Sequence, residues 1–395
     1  MNMNDSCIRG KVHRCPGTCN RLIGTGLLGR TAIGLAALSR LSAVAFGRGG
    51  DYQLTWQPGS SVKVEQVIGD FDWESVYFGA PRRTASQTVA KADVLGNDLG
   101  YSFEHNGGLV FLFGDTIGAT ADYYPNWVTS VDNYLWQAHD PIGFSDSRFP
   151  GNPLVVNFKQ DSSGNTLYVN PVYPDGTVLP MNGNETPNSG ISLDGPAYIV
   201  CGSGNDPGAA DPRANDYSVL TKFNDRDLSF NAGRTISQVN QGGHFVVDSL
   251  HEYTTGCGAD EDSVLMFGEG NYRASDIYLS VTPKRGFWSG IGTCYFTGLV
   301  HGQPTWSLKE SDAQPVVVDN PLNSVPPDPP TVGNMSVTYS PDLRLWLMTY
   351  DGGRVSSDTT GIYFTYAKQP YGPPLGDSAV NLQRKGRRWD WHPYS

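Results

Sequence analysis

The stretch NDLGYSFEHNGGLVFLFGDTIG (97–118) carries the grammar of the whole chain. Within it, GGLVFLFGDTIG is an apolar run that enters a turn at Gly-Asp-Thr. Phe, Val and Leu suit a pleated, buried surface, while Gly and Asn reverse the chain. Asp98 stands just before the first strand of this pair and Asp115 just after the second. The same sentence repeats downstream in GPAYIVCGSG (195–204), DSVLMFGEG (262–270), SDIYLSVTP (275–283), MSVTYSP (335–341), LRLWLMTYDGG (343–353) and TGIYFTYAKQP (360–370). Residues 262–270 with 275–283, and 343–351 with 361–369, read as hairpins. Hairpins spaced through a long chain suit radial blades, so the expectation is an all-β propeller. No segment of the body sustains a helical period. The stretch 119–190, rich in Asn, Asp, Pro and Gly, reads as long loops decorating one face.

Composition agrees. In 395 residues there are 47 Gly, 27 Pro, 20 Tyr and 9 Trp; 38% are hydrophobic and only 17% charged. That is a chain of many short strands and turns with enough apolar surface for a core. The net charge of −11 repels phosphate backbones and argues against a nucleic-acid partner. One basic cluster, Arg384, Lys385, Arg387 and Arg388, lies in the C-terminal tail and reads as a solvated end.

Residues 1–50 form a leader with a basic front and a small, apolar run, LIGTGLLGRTAIGLAALSRLSAVAFG (22–47), in which Ala43-Val44-Ala45 fits a small-residue cleavage pattern. Arg30 and Arg40 interrupt the run and count against a stable membrane span. The expected organisation is a signal-like leader (1–50), one propeller domain (51–376) and a basic tail (377–395), in a secreted or cell-surface protein. Cys7, Cys15 and Cys19 fall in the leader. Of Cys201, Cys257 and Cys294 in the body, Cys257 and Cys294 flank a strand-rich stretch and could pair.

The block NDLG…FGDT also resembles a family of five-bladed propellers that was long catalogued only as a domain of unknown function and that includes bacterial endo-D-arabinanases. The match rests on Asp98-Leu99-Gly100 and Phe113-Gly114-Asp115-Thr116, with later echoes in Tyr272-Arg273, Tyr278-Leu279, WLMTYDGG and IYFTYAKQPYGP. The resemblance implies five blades and cleavage of a furanose polysaccharide such as arabinan. The alternative is a non-catalytic carbohydrate-binding propeller.

Glycoside cleavage needs two carboxyl groups across the scissile bond, one to donate a proton and one to activate water or attack the sugar. Asp98 and Asp115 flank one strand pair, so they are expected to be neighbours and to act as the leading pair. Asp98 alone also fits an Asx-turn, and Asp115 a hydrogen-bonded turn. Glu269, between glycines in FGEGNYR, is the third catalytic candidate. Substrate-binding candidates are Arg273 and Tyr272 beside it, Asp194 in SLDGPAY, Asp248 in HFVVDSLHEY, and Tyr124 and Trp127 in the loop after Asp115. Aromatic faces stack on sugars, although blade packing uses the same residues.

Other chemistries lack their motifs. There is no G-x-S-x-G elbow for a serine hydrolase, no H-E-x-x-H or paired C-x-x-C for zinc, and no phosphate-cradling loop. No cofactor is expected. Clustered acids in GDFDWES (69–75) and GADEDS (258–263) leave calcium open, without the spacing of an EF-hand loop.

Overall fold

The computed structural model describes residues 63–118, 140–146, 153–162, 164, 166–181, 186–204, 217–258, 260–270, 275–318, 332–352 and 361–372. The leader, the tail, and Tyr124, Trp127, Tyr272 and Arg273 lie outside the described residues. Two short helices, α1 (Trp73–Tyr77) and α2 (Thr88–Ala92), precede the strands. Among the described residues no helix is long and apolar enough to cross a membrane.

The chain then runs through β1 (Val94–Asn97), β2 (Tyr101–His105), β3 (Gly108–Leu112), β4 (Thr116–Gly118), β5 (Ile142–Ser145) and β6 (Asn157–Phe158). Strands β2, β3, β5 and β6 make the first blade, in that order; β1 and β4 pair as a separate ribbon. The second blade is β7 (Thr186–Ser192), β8 (Ala197–Ser203), β9 (Tyr217–Asn224) and β10 (Ser229–Gln238). The third is β11 (Val247–Tyr253), β12 (Ser263–Glu269), β13 (Tyr278–Pro283), β14 (Cys294–Val300) and β15 (Gln303–Ser307). The fourth is β16 (Met335–Ser340), β17 (Leu345–Gly352) and β18 (Gly361–Ala367). Every pairing between these strands is antiparallel, and within the second, third and fourth blades each strand pairs with the next in sequence.

The innermost strands β2, β7, β11 and β16 stand side by side around a central channel. Side chains and backbone lock them together. Asn188 Nδ2 donates to the Val246 carbonyl at 2.8 Å, and Val337 N donates to Ser249 Oγ at 3.1 Å. The ring closes where Tyr101 Oη donates to Asn334 Oδ1 at 2.9 Å, joining the first blade to the fourth. That contact corrects the expectation of five blades: the described strands form four, and the first meets the last directly at this contact. The stretch 119–190 also holds more than loops, because β5, β6 and the start of β7 come from it.

Strand alternation builds the core between blades. On β12, Leu265 and Phe267 face the fourth blade and pack with Leu279, Trp346 and Met348. Val264 and Met266 face the second blade and pack with Val200, Leu220 and Phe245. Between the first and second blades lie Leu112, Ile142, Ile199, Val219 and Phe223. Each such large side chain contributes about 1.5–3 kcal/mol through burial. Close approach matters at the centre. A Cβ on Gly190 would stand 2.3 Å from the Phe103 ring, so only glycine lets β2 and β7 meet there.

Cys257 and Cys294 form a disulfide, with Cα atoms 6.2 Å apart, tying the loop after β11 to the start of β14. Cys201 stays free inside β8, where burial pushes its thiol up to about 12.

Candidate functional site

Asp98 sits where the β1–β4 ribbon bends into the β2–β3 hairpin. Leu99 (φ 59°) and Gly100 (φ 144°) make the bend, and the Leu99 amide donates to Asp98 Oδ1 at 2.8 Å. Two backbone bonds cross the bend: Asp98 N to the Asp115 carbonyl at 2.8 Å, and Gly114 N to the Asp98 carbonyl at 2.9 Å. The two acids are therefore held on facing strands. Gly114 lets the strands close at the bend, since a Cβ there would stand 3.0 Å from the Leu99 side chain.

Their environments differ. Asp98 is exposed and Asp115 half-buried, with Asp115 Oδ1 enclosed and unbonded. Burial, followed by the negative charge of Asp98, raises the Asp115 pKa to about 6. One carboxyl is thus biased toward its protonated form beside another that meets water, the asymmetry acid–base chemistry uses.

Leu99 and Gly100, next to Asp98, also line the central channel, a cavity of about 500 Å³. Ser102, Ser189, Ser249, Asn334 and Ser336 face it, and among the described residues no Asp, Glu, Lys or Arg lines it. The hollow beside the acid pair therefore suits a neutral, hydroxyl-rich ligand.

Three other acids fall elsewhere. Glu269 ends β12 opposite Val247, on the same face of the propeller as Asp98, but it is fully enclosed. It shares the parity of Leu265 and Phe267, which turn toward the fourth blade. As a catalyst meeting substrate it is corrected. Asp248 is also fully enclosed, between the second and third blades, and does not reach a substrate. A Cβ on Gly268 would lie 2.6 Å from its Oδ1, so glycine makes its room. Asp194 lies at the opposite face. It follows the far end of β7, its side chain is 82% exposed, and its carboxylate stands 3.7 Å from Lys284 Nζ. A strand only 7 residues long spans the full height of the blade, so its two ends serve different faces.

Nothing in the sequence pointed to Arg234 and Glu310, which face Asp248. Glu310 Oε1 accepts from Ser237 Oγ at 2.5 Å and from His244 N at 2.7 Å. Neither Asp248 oxygen has a hydrogen-bond partner. Burial, and then Glu310, push its pKa well above the ordinary carboxylate value, against a smaller opposing pull from Arg234. The native state therefore holds a proton that the unfolded chain releases near pH 4. The associated stability is full below that pH and is lost as pH rises through the native pKa. Asp248→Asn removes this pH-dependent cost. We expect the variant to gain about 1–3 kcal/mol over the native protein near pH 8, and less near pH 4, in urea unfolding. An equal difference at both pH values would contradict a native proton on Asp248.

Several of the acids considered for calcium hold other partners. Asp70 Oδ1 accepts the Val89 and Ala90 amides at the start of α2. Asp72 caps α1 through the Ser75 amide and pairs with Lys63 and Arg82, which hold its pKa at about 2. Glu261 pairs with Arg285 at 3.3 Å. Among the described residues, no group of three His, Cys, Asp or Glu is placed to hold a metal ion.

Several solved propeller structures are similar in chain path. A family 43 glycoside hydrolase, YxiA, from Bacillus licheniformis is 12% identical, with 72% of this chain and 54% of that one covered and a TM-score of 0.41. An endo-1,5-α-L-arabinanase from Thermotoga petrophila is 11% identical, with 72% and 54% covered and a TM-score of 0.40. An endo-arabinase from Bacteroides thetaiotaomicron is 11% identical, with 74% and 84% covered and a TM-score of 0.38. This chain spans about half the length of the first two. Likenesses this distant carry no residue role to this protein. A search of curated proteins gives no match. The family described as a domain of unknown function, DUF4185, matches residues 83–383, about three quarters of the sequence and including both halves of the acid pair, and the chain belongs to that family.

Proposed function

We propose that this protein is a glycoside hydrolase acting on a neutral, furanose-rich polysaccharide such as arabinan, with Asp115 as general acid and Asp98 as the carboxylate that activates water or attacks the sugar. The observation that carries the reading is the pair itself: two carboxyls on facing strands, one half-buried with its pKa near 6, the other exposed, beside an uncharged channel of about 500 Å³.

The chemistry follows from that arrangement. A glycosidic oxygen is a poor leaving group until protonated, and Asp115 holds the proton in a partly desolvated place. As the bond breaks, the sugar carbon gains positive charge, and the Asp98 carboxylate stabilises it or directs water to it. The serines and asparagine of the channel offer hydrogen bonds to sugar hydroxyls without charge. We further propose that the protein works outside the cell, where such polymers are found, as the leader suggests.

The test is hydrolysis of arabinan and arabinogalactan by the purified protein and by Asp98→Asn. We expect native turnover and a loss of about 100-fold in the variant, with binding retained. Turnover by Asp98→Asn at the native rate would remove the assignment. Binding of glycans by the native protein without any turnover would make it a carbohydrate-binding propeller instead.

A further inference from the structure

At the face opposite the acid pair, the first and second blades bring together three side chains far apart in sequence. His105 ends β2, Ser192 ends β7, and Asp225 lies in the turn between β9 and β10. His105 Nδ1 is 2.9 Å from Ser192 Oγ, and His105 Nε2 is 2.8 Å from Asp225 Oδ2. The His105 side chain is 2% exposed and its ring meets those of Phe103 and Phe223. Ser192 is half-buried, and the Asp225 side chain is 38% exposed.

The proton positions follow from the partners. An ionised carboxylate only accepts, so Nε2 carries the hydrogen given to Asp225. Nδ1 of the neutral ring then has only a lone pair, and the Ser192 hydroxyl must be the donor. Asn106 Nδ2 stands 3.1 Å from His105 Nε2 and 3.2 Å from Asp225 Oδ2; with the hydrogen on Nε2 it donates to the carboxylate and helps fix it. Hydroxyl, base and orienting carboxylate thus stand in the order that activates a serine nucleophile.

The turn after Ser192 supplies polar hydrogens. Asp194 (φ 52°) and Gly195 (φ 113°) reverse the chain, and among the described residues neither amide donates to a backbone carbonyl.

We propose that Ser192, His105 and Asp225 form a second active site, independent of the acid pair, that hydrolyses small acyl esters. Ser192 Oγ bonds to the acyl carbon while its proton moves to His105 Nδ1. The carbon–alkoxide bond then breaks, and the leaving alkoxide takes that proton and departs as an alcohol. Water attacks the acyl-serine, gives a proton to Nδ1, and the carboxylic acid leaves as the proton returns to Ser192. Asp225 is a positioning residue that keeps the ring in its tautomer and stabilises the imidazolium.

The full-length protein is treated with a fluorophosphonate probe, and the labelled residue is located by peptide mass spectrometry. Hydrolysis of p-nitrophenyl acetate is followed in parallel for the native protein and Ser192→Ala. We expect the label on Ser192 and a loss on the order of 100-fold in Ser192→Ala. We expect Asp225→Asn to slow labelling, and Asp225→Glu, which keeps a carboxylate for the ring, to restore most of it. No label on Ser192, under conditions that label a known serine esterase, overturns the proposal and leaves the three residues as a staple between blades. Ester hydrolysis in Ser192→Ala equal to the native rate does the same. Should Ser192→Ala fail to fold by circular dichroism, labelling of the native protein decides alone.

Discussion

Asp115→Asn is expected to lower polysaccharide cleavage by about 1,000-fold or more, the largest effect of any single change to the acid pair. The leaving oxygen then lacks its proton donor, and the amide cannot replace it. The native pH profile carries the same information. Burial and the Asp98 charge raise the Asp115 pKa to about 6, so the acid is protonated below that pH and ionised above it. Activity should therefore fall as pH rises through about 6. Asp98→Asn removes the neighbouring negative charge, so any residual activity should lose its proton at lower pH than in the native protein. Two measurements check this: turnover against pH for the native chain and Asp98→Asn, and single-turnover rates for Asp115→Asn. A native profile flat through pH 6, or near-native turnover in Asp115→Asn, would take the proton donor away from this residue. Substrates with good leaving groups should suffer least in Asp115→Asn, because they need little protonation; uniform loss across leaving groups would point to a structural effect instead.

Replacing Cys257 and Cys294 together by serine is expected to cost about 3–4 kcal/mol of stability. The bridge spans a sequence separation of 37, and closing a loop of that size removes unfolded-state entropy of that order. The cost falls on the third blade, whose middle strands β12 and β13 lie between the two cysteines in sequence. Cys201 does not offer an alternative partner, because its thiol is enclosed in β8. Thermal unfolding with and without reductant checks the point: the native protein should fall to the level of the double variant when reduced, while the double variant should not change. Equal stability of the native and doubly substituted proteins would mean that the strand pairing alone holds the blade.

The strand grammar was legible because each side of a blade is decided locally. Residues 262–270 and 275–283 alternate, carry turn residues at their ends, and pair as β12 and β13. The nearness of Asp98 and Asp115 was legible for the same reason: they bracket a hairpin, and a hairpin brings its ends together. The count of blades was not, because it depends on where the last inner strand meets the first. Tyr101 and Asn334 settle that across 233 positions. Nor was the enclosure of Glu269 and Asp248, since glycine neighbours read as open space in a sequence but here admit packed side chains.

By itself, then, the sequence determined an all-β chain of repeated hairpins, an acidic charge, and one strand pair with an aspartate at each open end. Such features depend on residue types and on spacings of a few positions. Tertiary structure alone decided the number of blades, which carboxyls meet water, the side of the ring on which Asp194 emerges, and the meeting of His105, Ser192 and Asp225. The physical reason is that inner strands from successive blades run in the same direction side by side, so residues nearly a hundred positions apart become neighbours, and the sequence carries no local mark of which ones.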